Sequence, residues 1–341
     1  MTEEIQVSII LPARNEAANI EACLRSLLQQ RGNFEIIVVN DESSDATEEI
    51  AGEVAKEDAL IRVVNAPALP AGWTGKNHAV WLGANQARGG WLLFTDADTR
   101  HKPGALEWAL NRAREAEACL VSVSPDQTML TWPEKALLPV VYCFLARRFP
   151  YDEVSHPSSP VAAANGQFLL IERAAYEAVG SHEAIRGEIL EDVALARLVK
   201  KSGRKIDFSR AEGVVETRMY RKFGEAWQGW TKNLFLLLGR SWTETFAELV
   251  EVAALDILPL LVAAMGVIYR TFDWWFWLGV ALLVWRHMLH WSRLRLNRYP
   301  VSTIFYYELG CFLFAALLLK SWLQWVRGNG VEWKERTYST D

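Results

Sequence analysis

Two aspartates that follow a short apolar run are the residues of this sequence most suited to chemistry. Asp96 and Asp98 lie in the segment Phe94-Thr95-Asp96-Ala97-Asp98-Thr99, directly after the run Trp91-Leu92-Leu93-Phe94. If that run is a strand that ends at the edge of a sheet, a turn after Asp96 would let both carboxylates reach one point. Carboxylate oxygens suit a hard divalent cation, and such a cation often carries substrate phosphates. Because Asp is also common in ordinary turns, the interpretation depends on the surrounding elements.

Strand and helix patterns alternate along the first part of the chain. Strands are predicted at 7–11, 34–40, 61–64, 91–95, 121–123 and 168–171, and helices at 17–30, 77–87, 103–117 and 190–201, with a further helix that starts near Asp45. We read Asp45 and Glu48 as a capping box at the start of the second helix. The alternation predicts an α/β fold with a mostly parallel sheet, which binds ligands beyond the carboxyl ends of its strands. The polar segments 13–16, 40–45 and 95–98 should therefore meet at one rim.

Length and charge narrow the class of protein. A chain of 341 residues can hold a full α/β domain with roughly a hundred residues left over. The net charge of -5 is mild and no basic block occurs, so nucleic acid is not an expected partner. The four cysteines are far apart in sequence and indicate a reduced compartment, and the first residues do not resemble a secretion signal.

The second half of the chain carries signals of a membrane. Most of the tryptophans lie beyond position 220, and tryptophan favours the membrane interface. Apolar stretches at 257–269, 274–285 and 309–319 are each about 11 to 13 residues long, whereas a perpendicular helix needs about 20. The arginines that follow the second stretch predict a cytoplasmic location for 286–298. The helix predicted over Trp132–Arg148 could either lie on a bilayer or pack internally.

Five polar motifs, in their order along the chain, resemble family 2 glycosyltransferases of the nucleotide-sugar-binding A-type fold. They are Pro12-Ala13-Arg14-Asn15-Glu16, Asn40-Asp41-Glu42-Ser43-Ser44-Asp45, Asp96-Ala97-Asp98, Asn165-Gly166-Gln167 and Glu191-Asp192. The link 69–76 and the tail segment 333–338 are similar to a lipid-glycosylating subgroup that includes carotenoid glucosyltransferases and hopanoid-associated glycosyltransferases. The resemblance implies a glycosyltransferase catalytic domain over 1–240, a membrane-associated helical region over 241–327 and a C-terminal tail over 328–341.

The resemblance also implies how a donor would be held. Asp98 would be the direct ligand of a divalent cation, Mn or Mg, and Asp96 would contact the cation and the ribose together. Asp41 would accept the uracil N–H of a UDP-sugar, although it could be an ordinary turn residue. Further nucleotide-sugar contacts are implied for Pro12, Arg14, Glu16, Ser43 and Lys76. Glu16 could instead favour a helix N-terminus, and Lys76 could have a structural role.

Attack on the sugar needs a base that deprotonates an acceptor hydroxyl. Asp192 matches the second acid of the family's Glu-Asp pair, and two adjacent acids at a helix start perturb each other's titration. The pair could instead only stabilise the helix N-terminus. Contacts with the sugar or acceptor are implied for Gly166, Gln167, Glu191, Trp230 and Lys232.

The resemblance therefore predicts an inverting enzyme that moves a hexose, with glucose as the first candidate, from a UDP-sugar to a hydroxyl or carboxyl group of an apolar membrane lipid such as a carotenoid. Processive relatives carry Gln-x-x-Arg-Trp, which Trp227-Gln228-Gly229-Trp230 lacks, so single transfer is expected. The enzyme would be a multi-pass protein of the inner or plasma membrane with a cytoplasmic catalytic domain. The alternatives are a polyprenyl-phosphate sugar synthase and, in another class, a non-catalytic membrane scaffold or binding module.

Overall fold

The computed structural model describes residues 5–327, 331–333 and 336–338. The chain forms two compact units, of which unit 1 contains Met1–Thr128 and Phe149–Met219, and unit 2 contains Met129–Arg148 and Tyr220–Asp341. This division differs from the boundary predicted at 240, because two helices from the first 240 residues group with the C-terminal helices. Of the predicted tail, residues 328–330, 334–335 and 339–341 lie outside the described residues.

A central sheet and a small sheet form the framework of unit 1. In chain order the strands are β1 (Val7–Ala13), β2 (Phe34–Asn40), β3 (Ile61–Asn65), β4 (Trp91–Phe94), β5 (Thr99–His101), β6 (Leu120–Ser124), β7 (Asp126–Gln127), β8 (Leu169–Glu172), β9 (Ile206–Arg210) and β10 (Val215–Thr217). In this part of the chain the central sheet has seven strands in the order β3-β2-β1-β4-β8-β6-β9, and β5-β10-β7 form the small sheet. The mostly parallel α/β fold predicted from the sequence is confirmed.

Strand β8 is the exception to the parallel arrangement. It pairs antiparallel with β4 on one side and with β6 on the other, so that Leu169 lies opposite Phe94 and Ser122. The residues that precede β8 are therefore brought to the rim where β4 ends. Apolar periodicity predicted a strand here, but it carries no information on strand direction.

Helices cover the faces of the central sheet. Those of unit 1, numbered along the whole chain, are α1 (Ile20–Leu27), α2 (Thr47–Glu57), α3 (Gly75–Gln86), α4 (Ala105–Ala116), α6 (Tyr151–Ser155), α7 (Arg173–Ala178) and α8 (Glu191–Lys201). Helix α3 lies very close to β1, because a Cβ atom at Gly83 would be 2.6 Å from Ile10 Cγ2. This close packing fixes the first turn of α3, and Lys76 with it, near the carboxyl ends of the strands.

The capping box predicted for α2 is wrong. Asp45 does accept the Thr47 N–H at 3.0 Å, but its other oxygen accepts the Ala17 N–H from a distant part of the chain. The Glu48 carboxylate accepts hydrogen bonds from Asn40 and Asn65 instead of reaching back along the helix. Partners that are far away in sequence have therefore replaced the local motif.

Unit 2 is helical. Its elements are α5 (Trp132–Arg148), α9 (Phe223–Leu237), α10 (Trp242–Val252), a π-helix (Ala253–Ile257), α11 (Leu258–Tyr269), α12 (Trp274–Leu296), a 3-10 helix (Val301–Tyr306), α13 (Tyr307–Val326), and the paired strands β11 (Val331–Trp333) and β12 (Arg336–Tyr338). Helix α5 packs inside this unit. A Cβ atom at Gly310 would be 2.2 Å from the Ala136 carbonyl oxygen, and the rings of Phe144 and Phe314 are 5.3 Å apart. Of the two alternatives for α5, these contacts favour internal packing.

Two helical segments of the described residues are long and apolar enough to cross a membrane. They are Trp242–Tyr269, with 28 residues, and Val301–Val326, with 26 residues. The first is longer than the predicted stretch because α10 and α11 join through the π-helix without a break. The predicted stretch 274–285 lies on α12, which is not one of the two candidates.

A buried ionic cluster joins α12, α13 and the π-helix. The Arg286 guanidinium donates two hydrogen bonds of 2.8 Å to the Asp256 carboxylate, and the Tyr307 hydroxyl donates a third at 2.7 Å. Asp256 is 5% exposed and Arg286 is 9% exposed. Since a buried charge without a partner is costly, each group depends on the other.

We predict that Arg286→Met destabilises the protein by about 3–5 kcal/mol, because it leaves the Asp256 charge buried and uncompensated. Arg148→Met is the matched control, since Arg148 forms a more exposed pair with Glu244 in the same unit. It should change stability little. Thermal unfolding in detergent measures both variants, and adding Asp256→Leu to Arg286→Met should restore most of the loss. Equal melting temperatures for wild type and Arg286→Met would contradict the prediction.

Candidate active site

The ends of β1 and β2 and the residues after them form one polar rim. The Asp41 N–H donates to the Ala13 carbonyl at 2.8 Å, and the Arg14 guanidinium donates to the Asp41 carbonyl at 2.7 Å. The Asn15 N–H donates to Ser43 Oγ at 3.1 Å. The predicted convergence of the segments after β1 and β2 is therefore confirmed. Arg14 and Ser43 order these segments through backbone contacts.

Lys76 links the end of β4 to the start of α8. Its ammonium lies 2.8 Å from Asp96 Oδ1 and 2.7 Å from Glu191 Oε1. Asp96 follows β4, Lys76 is in the first turn of α3, and Glu191 is the first residue of α8. One cation thus holds together two carboxylates that are 95 positions apart in the sequence.

The charges around Lys76 shift the titration of each group. Removal from water acts to lower the pKa of Lys76, but the charges of Asp96, Glu191 and Asp192 outweigh it and hold that pKa well above its ordinary value. Burial, helped by the Glu191 charge, raises the pKa of Asp96 against the opposing effect of Lys76. Burial also acts to raise the pKa of Glu191, yet Lys76 keeps it below the ordinary value.

 Asp192 is held differently from Glu191, whose carboxylate pairs with Lys76. The Asp192 carboxylate accepts backbone N–H groups instead, from Gly166 at 2.9 Å and from Val193 at 2.7 Å. Burial, followed by the charge of the adjacent Glu191, raises the pKa of Asp192 to about 6. A carboxylate with that pKa is a stronger base than an ordinary aspartate, and it is still ionised at neutral pH.

The segment Asn165-Gly166-Gln167 reaches this site because it precedes the antiparallel strand β8. The Gly166 N–H points to Asp192, and the Gln167 side-chain amide lies 3.3 and 3.4 Å from the two oxygens of Asp98. The predicted contacts of Gly166 and Gln167 with a sugar or acceptor remain predictions. Within the protein, these two residues contact the two carboxylates that matter most for the predicted chemistry.

A cavity of about 260 Å³, counting the part open to solvent, lies beside Lys76. Its lining includes six of the residues predicted for the site, namely Pro12, Lys76, Asp96, Gly166, Glu191 and Asp192. Val80, Phe94, Thr95, Leu169 and His182 complete it. Some of the residues of unit 1 that were predicted to contact the sugar donor or the acceptor therefore line the same cavity.

Other predicted residues lie outside the lining of this cavity. Arg14, Asp41 and Ser43 are on the rim formed by β1 and β2, and Asp98 follows the turn after Asp96. The Glu16 carboxylate accepts a hydrogen bond from the side-chain amide of Asn19, just before α1, and its predicted contact with the nucleotide remains a prediction. Trp230 and Lys232 belong to α9 of unit 2, and their predicted contacts with sugar or acceptor remain predictions.

Sequence reasoning missed His182 as part of the site. Its buried ring lies against Phe94, with 5.1 Å between ring centroids, and its Nδ1 is 2.9 Å from the Tyr176 hydroxyl. Burial lowers the pKa of His182 to about 4, so the ring is neutral at physiological pH. A lone histidine in a turn gives no sequence signal of this kind.

A second set of residues that the sequence did not reveal supports the turn between Asp96 and Asp98. The Thr99 hydroxyl donates to the Asp96 carbonyl at 2.7 Å, and the Thr95 hydroxyl donates to the Gln167 carbonyl at 2.8 Å. The His101 Nε2 lies 3.0 Å from the Thr95 hydroxyl. A network of buried hydrogen bonds therefore supports the turn that carries the two aspartates.

The described residues provide no group of three or more His, Cys, Asp or Glu side chains that could hold a metal ion by themselves. A cation that is bound by one or two carboxylates and by substrate phosphates does not require such a group. The charge of the site suits such a cation, since Asp96, Glu191 and Asp192 surround the single ammonium of Lys76. The residues fit a cation that arrives with a phosphorylated ligand.

The sequence of this chain is similar to those of known glycosyltransferases. The model of glycosyl transferase family 2 matches residues 8–177. A relative from Staphylococcus aureus (strain MRSA252), named 4,4'-diaponeurosporenoate glycosyltransferase, is 27% identical over 342 residues, which cover 98% of this chain and 88% of the relative. The relative from S. aureus strain bovine RF122 / ET3-1 has the same name and is also 27% identical.

A solved structure supports the fold. The mannosyltransferase PcManGT from Pyrobaculum calidifontis, in complex with GDP-Man and Mn2+, superposes with a TM-score of 0.57. It is 18% identical, and the match covers 95% of this chain and 87% of that chain. At this identity the similarity concerns the fold, which is the A-type glycosyltransferase fold predicted from the sequence. This chain therefore carries a family 2 glycosyltransferase domain at residues 8–177, and it is a glycosyltransferase.

Proposed function

We propose that the enzyme transfers a hexose, with glucose as the first candidate, from a UDP-sugar to a hydroxyl or carboxyl group of an apolar membrane lipid. The observation that carries the proposal is the position of Asp192, which lines the cavity beside Lys76 and Asp96. The naming of the S. aureus relatives supports a lipid acceptor of the carotenoid class. Transfer would be inverting and non-processive.

Asp192 is the proposed base. An acceptor hydroxyl is a poor nucleophile until its proton is removed during attack, and a carboxylate within hydrogen-bond reach can remove it. The raised pKa of about 6 places Asp192 close to the working pH, where a base is most effective. Its two backbone N–H partners fix the orientation of the carboxylate without neutralising it.

The diphosphate gains negative charge as it leaves, and a nearby positive charge would stabilise it. A divalent cation, Mn or Mg, would stabilise the charge that builds on the departing phosphate. Asp98 would hold this cation, with Asp96 beside it. Lys76 adds a fixed positive charge to the same region, because its pKa lies well above neutral. The rim residues Asp41 and Glu16 are the proposed contacts of the uridine.

An apolar acceptor fits the character of unit 2. Large apolar side chains of the segment 258–285 are exposed, among them Met265, Ile268, Trp274 and Trp277 at 55–70% of their surface. Exposed apolar surface of this extent marks a membrane or partner interface. We propose that unit 2 associates with the inner or plasma membrane through several passes. The catalytic unit would be cytoplasmic, because Arg293, Arg295 and Arg298 follow the apolar part of α12.

A polyprenyl-phosphate sugar synthase remains the second candidate. Its acceptor is already an anion, so it needs less help from a base than a hydroxyl does. The two candidates therefore differ in how strongly they depend on Asp192. The non-catalytic scaffold considered from the sequence is not retained, because the chain is a glycosyltransferase.

The product identifies the reaction. Membranes that contain the enzyme should incorporate label from UDP-glucose into an apolar, extractable lipid, and mass spectrometry should find the mass of the lipid increased by a single hexose. Membranes without the enzyme are the control. A labelled product with a phosphate group would favour the second candidate, and label in a long polysaccharide would contradict single transfer.

Asp192→Asn should lower kcat by about 10²–10⁴-fold, the usual contribution of a positioned base. UDP affinity should change little, since the amide keeps the shape of the carboxylate. The matched control is Asp126→Asn, because Asp126 also accepts a backbone N–H, from Gly213, and does not line the cavity. Its turnover should equal that of wild type. Near-normal turnover of Asp192→Asn would contradict the assignment of Asp192 as the base and favour the polyprenyl-phosphate sugar synthase, whose acceptor is an anion.

A further inference from the structure

Gln167 is a buried side chain that contacts the proposed cation ligand. It is 3% exposed, and its Nε2 lies 3.3 Å and 3.4 Å from the two oxygens of Asp98. The same Nε2 donates to the Thr217 hydroxyl at 3.0 Å. Thr217 in turn donates to the backbone carbonyl of Asp98 at 3.2 Å. Gln167 and Thr217 thus hold both the side chain and the backbone of Asp98.

The residue before Gln167 reaches the proposed base. The Gly166 N–H donates to Asp192 Oδ2 at 2.9 Å. A Cβ atom at Gly166 would lie 3.0 Å from Lys76 Nζ and 3.1 Å from Glu191 Oε1, so the backbone runs close against the ion pair. Two consecutive residues therefore contact two carboxylates with different proposed roles.

The segment itself is held firmly. The Asn165 N–H donates to Ser122 Oγ at 2.8 Å, and the Gln167 N–H donates to Asn165 Oδ1 at 2.9 Å. The Thr95 hydroxyl donates to the Gln167 carbonyl at 2.8 Å. These bonds connect the segment to β6 and to the end of β4. Its position is consequently fixed by the central sheet.

We propose that residues 165–167 form one positioning segment, in which Gln167 orients the Asp98 carboxylate for a divalent cation while Gly166 orients Asp192. This inference rests on the proposed function of Asp98. A neutral amide suits the task, because it can orient a carboxylate without removing the charge that the cation needs. An ammonium or guanidinium in the same place would compete with the cation. Gln167 is thus a positioning residue that need not touch the substrate.

Calorimetry of UDP binding, with saturating Mn2+ and with EDTA, tests the proposal on the full chain in detergent. The measured quantity is the ratio of the two affinities. Gln167→Met removes the amide and keeps most of the volume, and it should weaken the Mn-dependent affinity by about 10–100-fold, as loss of a partner of a metal ligand commonly does. The affinity in EDTA should stay unchanged.

Gln30→Met is the matched control, since Gln30 is also a buried glutamine but bonds to Ser26, Lys102 and Leu106. It should leave the affinity ratio at the wild-type value. Thr217→Val keeps the shape of the side chain and removes the second partner of Gln167. It should shift the affinity ratio in the same direction as Gln167→Met. If Gln167→Met fails to fold, Thr217→Val still tests whether Gln167 positions Asp98.

Two different failures can be told apart. A wild-type protein whose UDP affinity does not depend on Mn2+ overturns the metal role of Asp98, and the positioning role of Gln167 with it. A Mn-dependent affinity that Asp98→Ala abolishes, but that Gln167→Met and Thr217→Val leave intact, overturns only the positioning role. Loss of the dependence in Asp98→Ala, together with a weaker Mn-dependent affinity in Gln167→Met and Thr217→Val and an unaffected Gln30→Met, supports both.

Discussion

The ion pairs of Lys76 with Asp96 and Glu191 are the interaction on which the site depends. They connect the end of β4, the first turn of α3 and the first turn of α8 through one ammonium group. Without that positive charge, three carboxylates would repel one another in a poorly hydrated space. Burial, and after it the charge of Glu191 that Lys76 keeps ionised, raises the pKa of Asp192 against the direct, opposing effect of Lys76. A structural ion pair thereby tunes the proposed base.

The site also depends on the topology of the central sheet. Parallel strands β1, β2 and β4 bring their carboxyl ends to one rim, while antiparallel β8 brings its amino end there. The segment 165–167 can therefore contact Asp98 and Asp192 with consecutive residues. Helix α3 can lie close enough to deliver Lys76, because Gly83 leaves room against Ile10.

The sequence predicted the parts of this arrangement that depend on local pattern. Apolar runs gave the strands at the rim, and the order of the polar motifs gave the family. The direction of β8 and the partners of Lys76 and Glu48 depend on contacts between distant residues, which periodicity does not contain. Helix α5 was equally open to two interpretations, because an apolar helix looks the same against protein as against lipid. His182 was missed for a similar reason, since its place in the lining of the cavity follows from the folding of distant segments and not from a local sequence pattern.

The central claim is that Asp192 acts as a base whose pKa is set by burial and by Glu191. The dependence of kcat/KM on pH measures that pKa in the free enzyme. Since the base works only when deprotonated, kcat/KM should fall as the pH is lowered through about 6. The midpoint should move to lower pH in Glu191→Gln, which removes the neighbouring charge. A wild-type profile that stays flat down to the ordinary pKa of an aspartate, about 4, would contradict the account.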